Sequence, residues 1–141
     1  MMVPMADTQY TVRVVGRVRS CLKSLEDAPR QGSEGAPRAT LELDASVWAG
    51  LDGLRPGDEV IVLTWFQLAR RDVLTVQPRN DPQLPRAGVF ATRSPERPNP
   101  IGLHRVRVLA ISAGSLEVEP LEAIDGTPII DIKPVWKSAD H

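Results

Sequence analysis

The apolar residues of this chain recur at every second position, in short runs, and nowhere show the three-to-four spacing of a long amphipathic helix. Tyr10, Val12, Val14 and Val18 alternate with Thr11, Arg13, Arg17 and Arg19, interrupted by Gly16. Ala39, Leu41 and Leu43 alternate with Thr40, Glu42 and Asp44. Period two puts one side of each run towards a core and the other towards water, so both read as half-buried strands. The segment 59–67, EVIVLTWFQ, is almost wholly apolar and is expected to be a strand covered on both faces. Shorter strands are expected at Val73–Val76, Val89–Thr92 and Leu116–Glu119, and a long one over Ile101–Ile111, with Val106, Val108 and Ala110 on one face and Arg105 and Arg107 on the other. Ser112-Ala113-Gly114-Ser115 and Asp125-Gly126 are turn sequences, the second leading into a last strand, TPIIDI. Asp44 to Leu51 has room for one or two helical turns, with Asp44 as N-cap and Gly50 as a stop. The pattern implies an all-β fold, mainly antiparallel, either a barrel or a sandwich, in one domain of 141 residues. Residues 1–9 read as a loose N-terminal tail before a domain spanning 10–138.

The punctuation between strands is uneven. Residues 23–37 and 78–88 are rich in proline, glycine and charge, and read as long loops. Residues 88–103, GVFATRSPERPNPIGL, place Pro95, Pro98 and Pro100 among Arg93, Arg97 and Asn99. Prolines so close together exclude a helix or a central strand. They also fix the backbone, so that the side chains between them are held with little entropy left to lose. This is the pattern of a rigid binding loop, and equally of a structural turn whose arginines pair with Asp125 or Asp131.

Charge and composition narrow the chemistry. The chain carries a formal net charge of −1, yet Arg70 to Arg107 holds eight arginines against three carboxylates, a local excess of +5. That distribution fits an anion-binding face on a mildly acidic protein, or charges that cancel in three dimensions. Cys21 is the single cysteine, which excludes an intrachain disulfide and fits a reducing cytoplasm. His104 and His141 are the only histidines, and no metal-ligand spacing occurs. No apolar run approaches the roughly 20 residues of a membrane span. Neither a Gly-x-Gly-x-x-Gly nor a Walker A sequence is present, which leaves the common nucleotide folds unsupported. Gly-x-Ser-x-Gly is absent and no histidine neighbours a nucleophile in sequence, which argues against a Ser-His-Asp hydrolase.

GVFATRSPERPNPIGL, together with DGTPIIDIKP at 125–134, closely resembles the TrmO family, also called TsaA-like or YaeB-like, and the resemblance extends from about Val14 to Asp140. Members are S-adenosylmethionine-dependent methyltransferases acting on the N6 nitrogen of threonylcarbamoyladenosine in tRNA, beside the anticodon. The resemblance implies a small β-barrel rather than a Rossmann fold, a homodimer with cofactor near the subunit interface, a cytoplasmic location, and no metal. It implies cofactor-pocket positions at Pro29, Arg30 and Gln31 in DAPRQG, at Arg93, at Leu103, and at Glu122, Ala123, Ile124 and Asp125. Where the family commonly has Trp-Phe-His-Arg this chain has Trp65-Phe66-Gln67-Leu68, so Gln67 and Leu68 are the corresponding pocket positions. Arg70 and Arg71 follow as candidates to replace the lost guanidinium.

The implied reaction is in-line methyl transfer from a sulfonium to a nitrogen whose lone pair is delocalised. Alignment is then the main contribution of the protein, which can supply roughly 7–11 kcal/mol. Asn99 offers a carbonyl to polarise the N–H, and Asp125 or Asp131 a carboxylate, with Asp125 the second candidate catalytic group. Arg97 and Lys133 are expected to meet substrate phosphate or carboxylate. The alternative expectation is an S-adenosylmethionine-binding module without tRNA methylation, because the His-Arg pair is replaced and many bacterial members continue into a further C-terminal domain.

Overall fold

The computed structural model describes residues 8–21, 37–78 and 81–136. Six strands close into an antiparallel barrel: β1 (Gly16–Arg19), β2 (Ala39–Leu43), β3 (Glu59–Trp65), β6 (Ile101–Ser112), β7 (Ser115–Glu119) and β8 (Pro128–Pro134). Around the barrel they follow the order β1–β2–β7–β6–β3–β8, with β8 pairing back onto β1. Two-residue strands β4 (Thr75–Val76) and β5 (Ala87–Gly88) form a separate ribbon. The barrel reading of the family resemblance therefore holds, and the sandwich is excluded.

Period two does the work of filling the interior. Val18, Leu41, Val60, Val62, Val106, Val108, Leu116, Val118 and Ile129 point inwards and are essentially inaccessible to water. Most are β-branched, so they are stiff and pack well on a pleated surface. The inside of this small barrel is a packed core with no channel through it. Closure needs local bending, and register shifts occur between Leu63 and Thr64 against β8 and between Val108 and Ala110 against β7.

That second shift reverses the face of β6. Ala110, expected on the apolar side with Val106 and Val108, is exposed, while Ile111 packs against the core opposite Leu116. The β6–β7 hairpin turns through Ala113 and Gly114, both with positive φ (44° and 83°). Gly114 is required there twice over, because a Cβ would also collide with the Trp48 ring.

Other expectations shift at their edges. The first strand is shorter than its alternation, since Tyr10, Val12 and Val14 are exposed and laddered pairing starts at Gly16. The turns after Asp44 form as a 3-10 helix over Ala45–Leu51, with the Asp44 carboxylate accepting from Ser46 N; the helix runs one residue past the expected stop at Gly50. β3 is buried on one face only: Val60, Val62 and Thr64 are fully enclosed, and Ile61, Leu63 and Trp65 are half-buried outside. Val89–Ala91 is a 3-10 turn instead of a strand, closed by Thr92 N donating to Val89 O (3.1 Å). Of the expected strand Val73–Val76, only Thr75–Val76 pairs.

Candidate functional site

Along β3 the inward positions run Val60, Val62, Thr64; along the facing β6 they run Val108, Val106, His104, Gly102. The core is aliphatic until the last step, where it turns polar. At that end lies a cavity of about 700 Å³, within the usual range for small-molecule sites. Four segments line it: Phe66 to Ala69 leaving β3, Arg93 to Glu96 of the proline-rich loop, His104 of β6, and Glu122 to Ile124 with Thr127 ahead of β8. Its walls are mainly apolar, with Arg93, Glu96 and Glu122 supplying charge.

The opening of the cavity depends on Gly102. A Cβ at this position would collide with Thr64 Oγ1 and stand 2.5 Å from Cζ of Phe66. The glycine of NPIG thus lets the Phe66 ring lie across β6, edge-on to the His104 imidazole at 5.9 Å between centroids and 82° between planes. Thr64 Oγ1 and His104 Nε2 are 2.8 Å apart. Burial disfavours the charged imidazolium and pulls the His104 pKa down to about 4, so the ring is neutral at ordinary pH.

Two arginines set the shape of the loop. Arg97 Nε donates to Ser94 O (2.7 Å), and its Nη2 donates to Val89 O (2.7 Å) and Thr92 O (2.5 Å). Arg71 stacks over the Trp65 ring at 5.0 Å and donates from Nε to Pro98 O (2.7 Å) and from Nη2 to Asn99 Oδ1 (2.9 Å). The prolines leave carbonyls without local N–H partners, and guanidinium groups with several donors in a fixed fork satisfy them. Ser94 N donates to Thr92 Oγ1 (3.2 Å) and Glu96 N to Ser94 Oγ (3.3 Å), which completes the loop.

Several of the other arginines of this stretch are engaged as well. Arg70 pairs with Asp72 (2.9 Å), and that hydrogen bond holds the Asp72 carboxyl below its usual range. Arg86 donates to Thr75 O (2.8 Å) and Arg105 pairs with Glu59 (2.8 Å). Among the described residues, Arg93 is the arginine of the cavity, and its guanidinium makes no hydrogen bond or ion pair with them. Neither Arg70 nor Arg71 places a guanidinium among the lining residues in place of Leu68.

Of the residues singled out in the sequence, the structure brings Gln67, Leu68, Arg93, Glu122, Ala123 and Ile124 into one cavity. It separates the others. Asp125 accepts from Ser20 N (3.0 Å) and lines a different, open hollow with Arg19, Arg38 and Glu117. Leu103 is half exposed on the outer face of β6, opposite Leu63. Lys133 lies on β8 and pairs with Asp131 (3.1 Å). Arg97 serves its own loop. Asn99 turns its carboxamide oxygen to Arg71, which leaves the NH₂ as the group directed elsewhere, a donor where a carbonyl acceptor was expected. Pro29, Arg30 and Gln31 lie outside the described residues. His104 and Phe66 were not singled out for the cavity. The signal for His104 was its parity: it shares the inward register of Val106 and Val108.

The model of the tRNA-methyltransferase O N-terminal domain matches residues 17–141. The chain belongs to the TrmO family. A Methanothermobacter thermautotrophicus protein described as a probable S-adenosyl-L-methionine-binding protein is 40% identical over 136 residues, 96% of this chain and 97% of that protein. An S-adenosyl-L-methionine-binding protein of Archaeoglobus fulgidus is 40% identical over 122 residues, covering 86% of each chain. Among solved structures, one of TrmO superposes with a TM-score of 0.75 at 36% identity, over 94% of this chain and 60% of that one. TrmO from Pseudomonas aeruginosa gives 0.72 at 35% identity, over 94% and 58%. The chain thus spans about three-fifths of the length of the solved TrmO chains it matches. Among the described residues no helix is long and apolar enough to cross a membrane, and no group of three or more His, Cys, Asp or Glu is placed to hold a metal.

Proposed function

We propose that this TrmO-family protein is an S-adenosylmethionine-dependent methyltransferase acting on the N6 nitrogen of threonylcarbamoyladenosine in tRNA, next to the anticodon, and that it works in the cytoplasm as a homodimer. The observation that carries the reading is Arg93, an arginine with no partner among the described residues, in a largely apolar cavity of about 700 Å³ at the polar end of a filled barrel. The lining suits the cofactor at both ends. Phe66, Leu68, Ala123 and Ile124 offer apolar surface to an adenosine. Arg93 is a partner for a carboxylate, and Glu96 and Glu122 are counter-charges for an ammonium or sulfonium.

S-adenosylmethionine, when bound, would supply an electrophilic methyl carbon with the sulfonium sulfur as its leaving group. The residues of the chain hold and align. Arg97 and Arg71 fix the loop that carries Arg93 and Asn99, so little order remains to be gained on binding. The Asn99 NH₂ suits an acceptor on the substrate, such as a carbonyl or carboxylate, and orients it. Asp125 and Lys133 reach a substrate only outside the cavity, and Arg97 contributes through the loop it staples. Ile61, Leu63, Trp65, Ile101 and Leu103 form a part-exposed apolar strip on the outer side of β3 and β6. In the homodimer this strip is the pairing surface, which brings Leu103 towards the partner.

The second reading, a cofactor-binding module without tRNA methylation, is favoured by Gln67 and Leu68 standing in the cavity with neither Arg70 nor Arg71 among the lining residues. Methyl-labelled S-adenosylmethionine and bulk tRNA lacking the modification separate the two. Incorporation, with methylated threonylcarbamoyladenosine detected by nucleoside mass spectrometry, supports the enzyme. Tight cofactor binding with no incorporation supports the module.

A further inference from the structure

Thr64 is fully buried, and among the described residues its hydroxyl has one hydrogen-bond partner, His104 Nε2 at 2.8 Å. A buried O–H proton left without an acceptor costs about 1–3 kcal/mol. Nε2 accepts it only when that nitrogen carries no proton itself. The single proton of the neutral imidazole then resides on Nδ1, the nitrogen that Thr64 does not engage. The surroundings agree: the Phe66 ring stands edge-on to the imidazole, Ala123 and Ile124 add to the apolar lining, and the charged lining groups are Arg93 and Glu96 on the loop and Glu122 ahead of β8. The apolar side suits a base and the charged groups suit an amino-acid moiety.

We propose that His104 is a ligand-binding residue of this cavity, held by Thr64 as the Nδ1-protonated tautomer so that it offers a fixed N–H donor to a ring nitrogen of a bound adenine. The inference rests on the reading of the cavity as an S-adenosylmethionine site and adds a base-recognising contact to it. Burial, which keeps the ring neutral, also keeps this donor single and directional.

The test uses the whole chain, two ligands and two isosteres. His104→Gln keeps an amide near the Nε2 position, in reach of Thr64, and removes the Nδ1 donor. His104→Asn places an amide nitrogen near Nδ1. By calorimetry, His104→Gln is expected to weaken both S-adenosylhomocysteine and methylthioadenosine by about three- to tenfold, the worth of one neutral hydrogen bond. His104→Asn should recover most of that loss. The ¹⁵N spectrum of the unliganded protein at neutral pH should show Nδ1 protonated and Nε2 bare. An Nε2-protonated ring, an unchanged affinity in His104→Gln, or a loss confined to S-adenosylhomocysteine overturns the proposal while leaving the cofactor site intact. Failure of the unmutated protein to bind either nucleoside overturns the cofactor site and the contact together.

Discussion

Mild acid should destabilise this protein by protonating one side chain. His104 has its pKa pulled down to about 4 in the folded state, and an unfolded histidine titrates near 6.5. The folded value is the lower, so the unfolded chain takes up the proton first. Stability is complete above pH 6.5 and is lost as pH falls towards 4. The whole shift corresponds to about 3 kcal/mol, of which about 2 kcal/mol is already lost at pH 5. That is a large share of the 5–15 kcal/mol typical of a domain. Urea denaturation of the unmutated protein and of His104→Gln at pH 7 and pH 5 isolates the effect, because carboxylates titrate mostly below this window. The difference in unfolding free energy between the two proteins should change by about 2 kcal/mol across those pH values, in favour of the variant at pH 5. Parallel pH profiles, or an imidazole that titrates near 6.5 by NMR, would refute the placement of His104 in a dry, uncharged setting.

Arg93→Ala should leave the unfolding free energy within about 0.5 kcal/mol, since the side chain is exposed and has no partner among the described residues. By calorimetry it should weaken S-adenosylhomocysteine by about ten- to hundredfold, the worth of a charge-assisted hydrogen bond. Arg97→Ala removes three donors from loop carbonyls. A stability loss of about 2–3 kcal/mol by denaturant titration is expected, together with faster amide exchange across residues 89–97. Gly102→Ala drives a methyl group against Thr64 and the Phe66 ring. Overpacking of this kind costs about 1–3 kcal/mol, and the displaced ring should lower ligand affinity by the same calorimetric assay.

The strands were legible because period-two burial is a local pattern, and Val18, Leu41, Val106 and Val108 point where their alternation said. The face of Ala110 was not legible, because a single extra residue in β6 reverses every position after it, and nothing in the sequence marks a bulge. GVFA resembles a strand in composition, yet the loop carbonyls gathered by Arg97 fold Val89–Ala91 into a turn. The proline-rich segment announced a rigid loop, but the assignment of its groups needed contacts between distant residues. Arg71 is 28 positions from Asn99, and only their meeting fixes which end of the carboxamide is engaged. Likewise the pairing of Thr64 with His104 follows from the register of β3 on β6, which the sequence does not state. Asp125 and Ile124 are neighbours in the chain and line different hollows, so no reading by proximity in sequence separates them.

A barrel plugged with valine and leucine divides the labour of the molecule. The plug fills the barrel, and the cavity lies at one rim among the segments draped over it. Rim residues can therefore change without retuning the scaffold beneath. Relatives built on the same staves are free to drift in what they handle while remaining recognisable as kin.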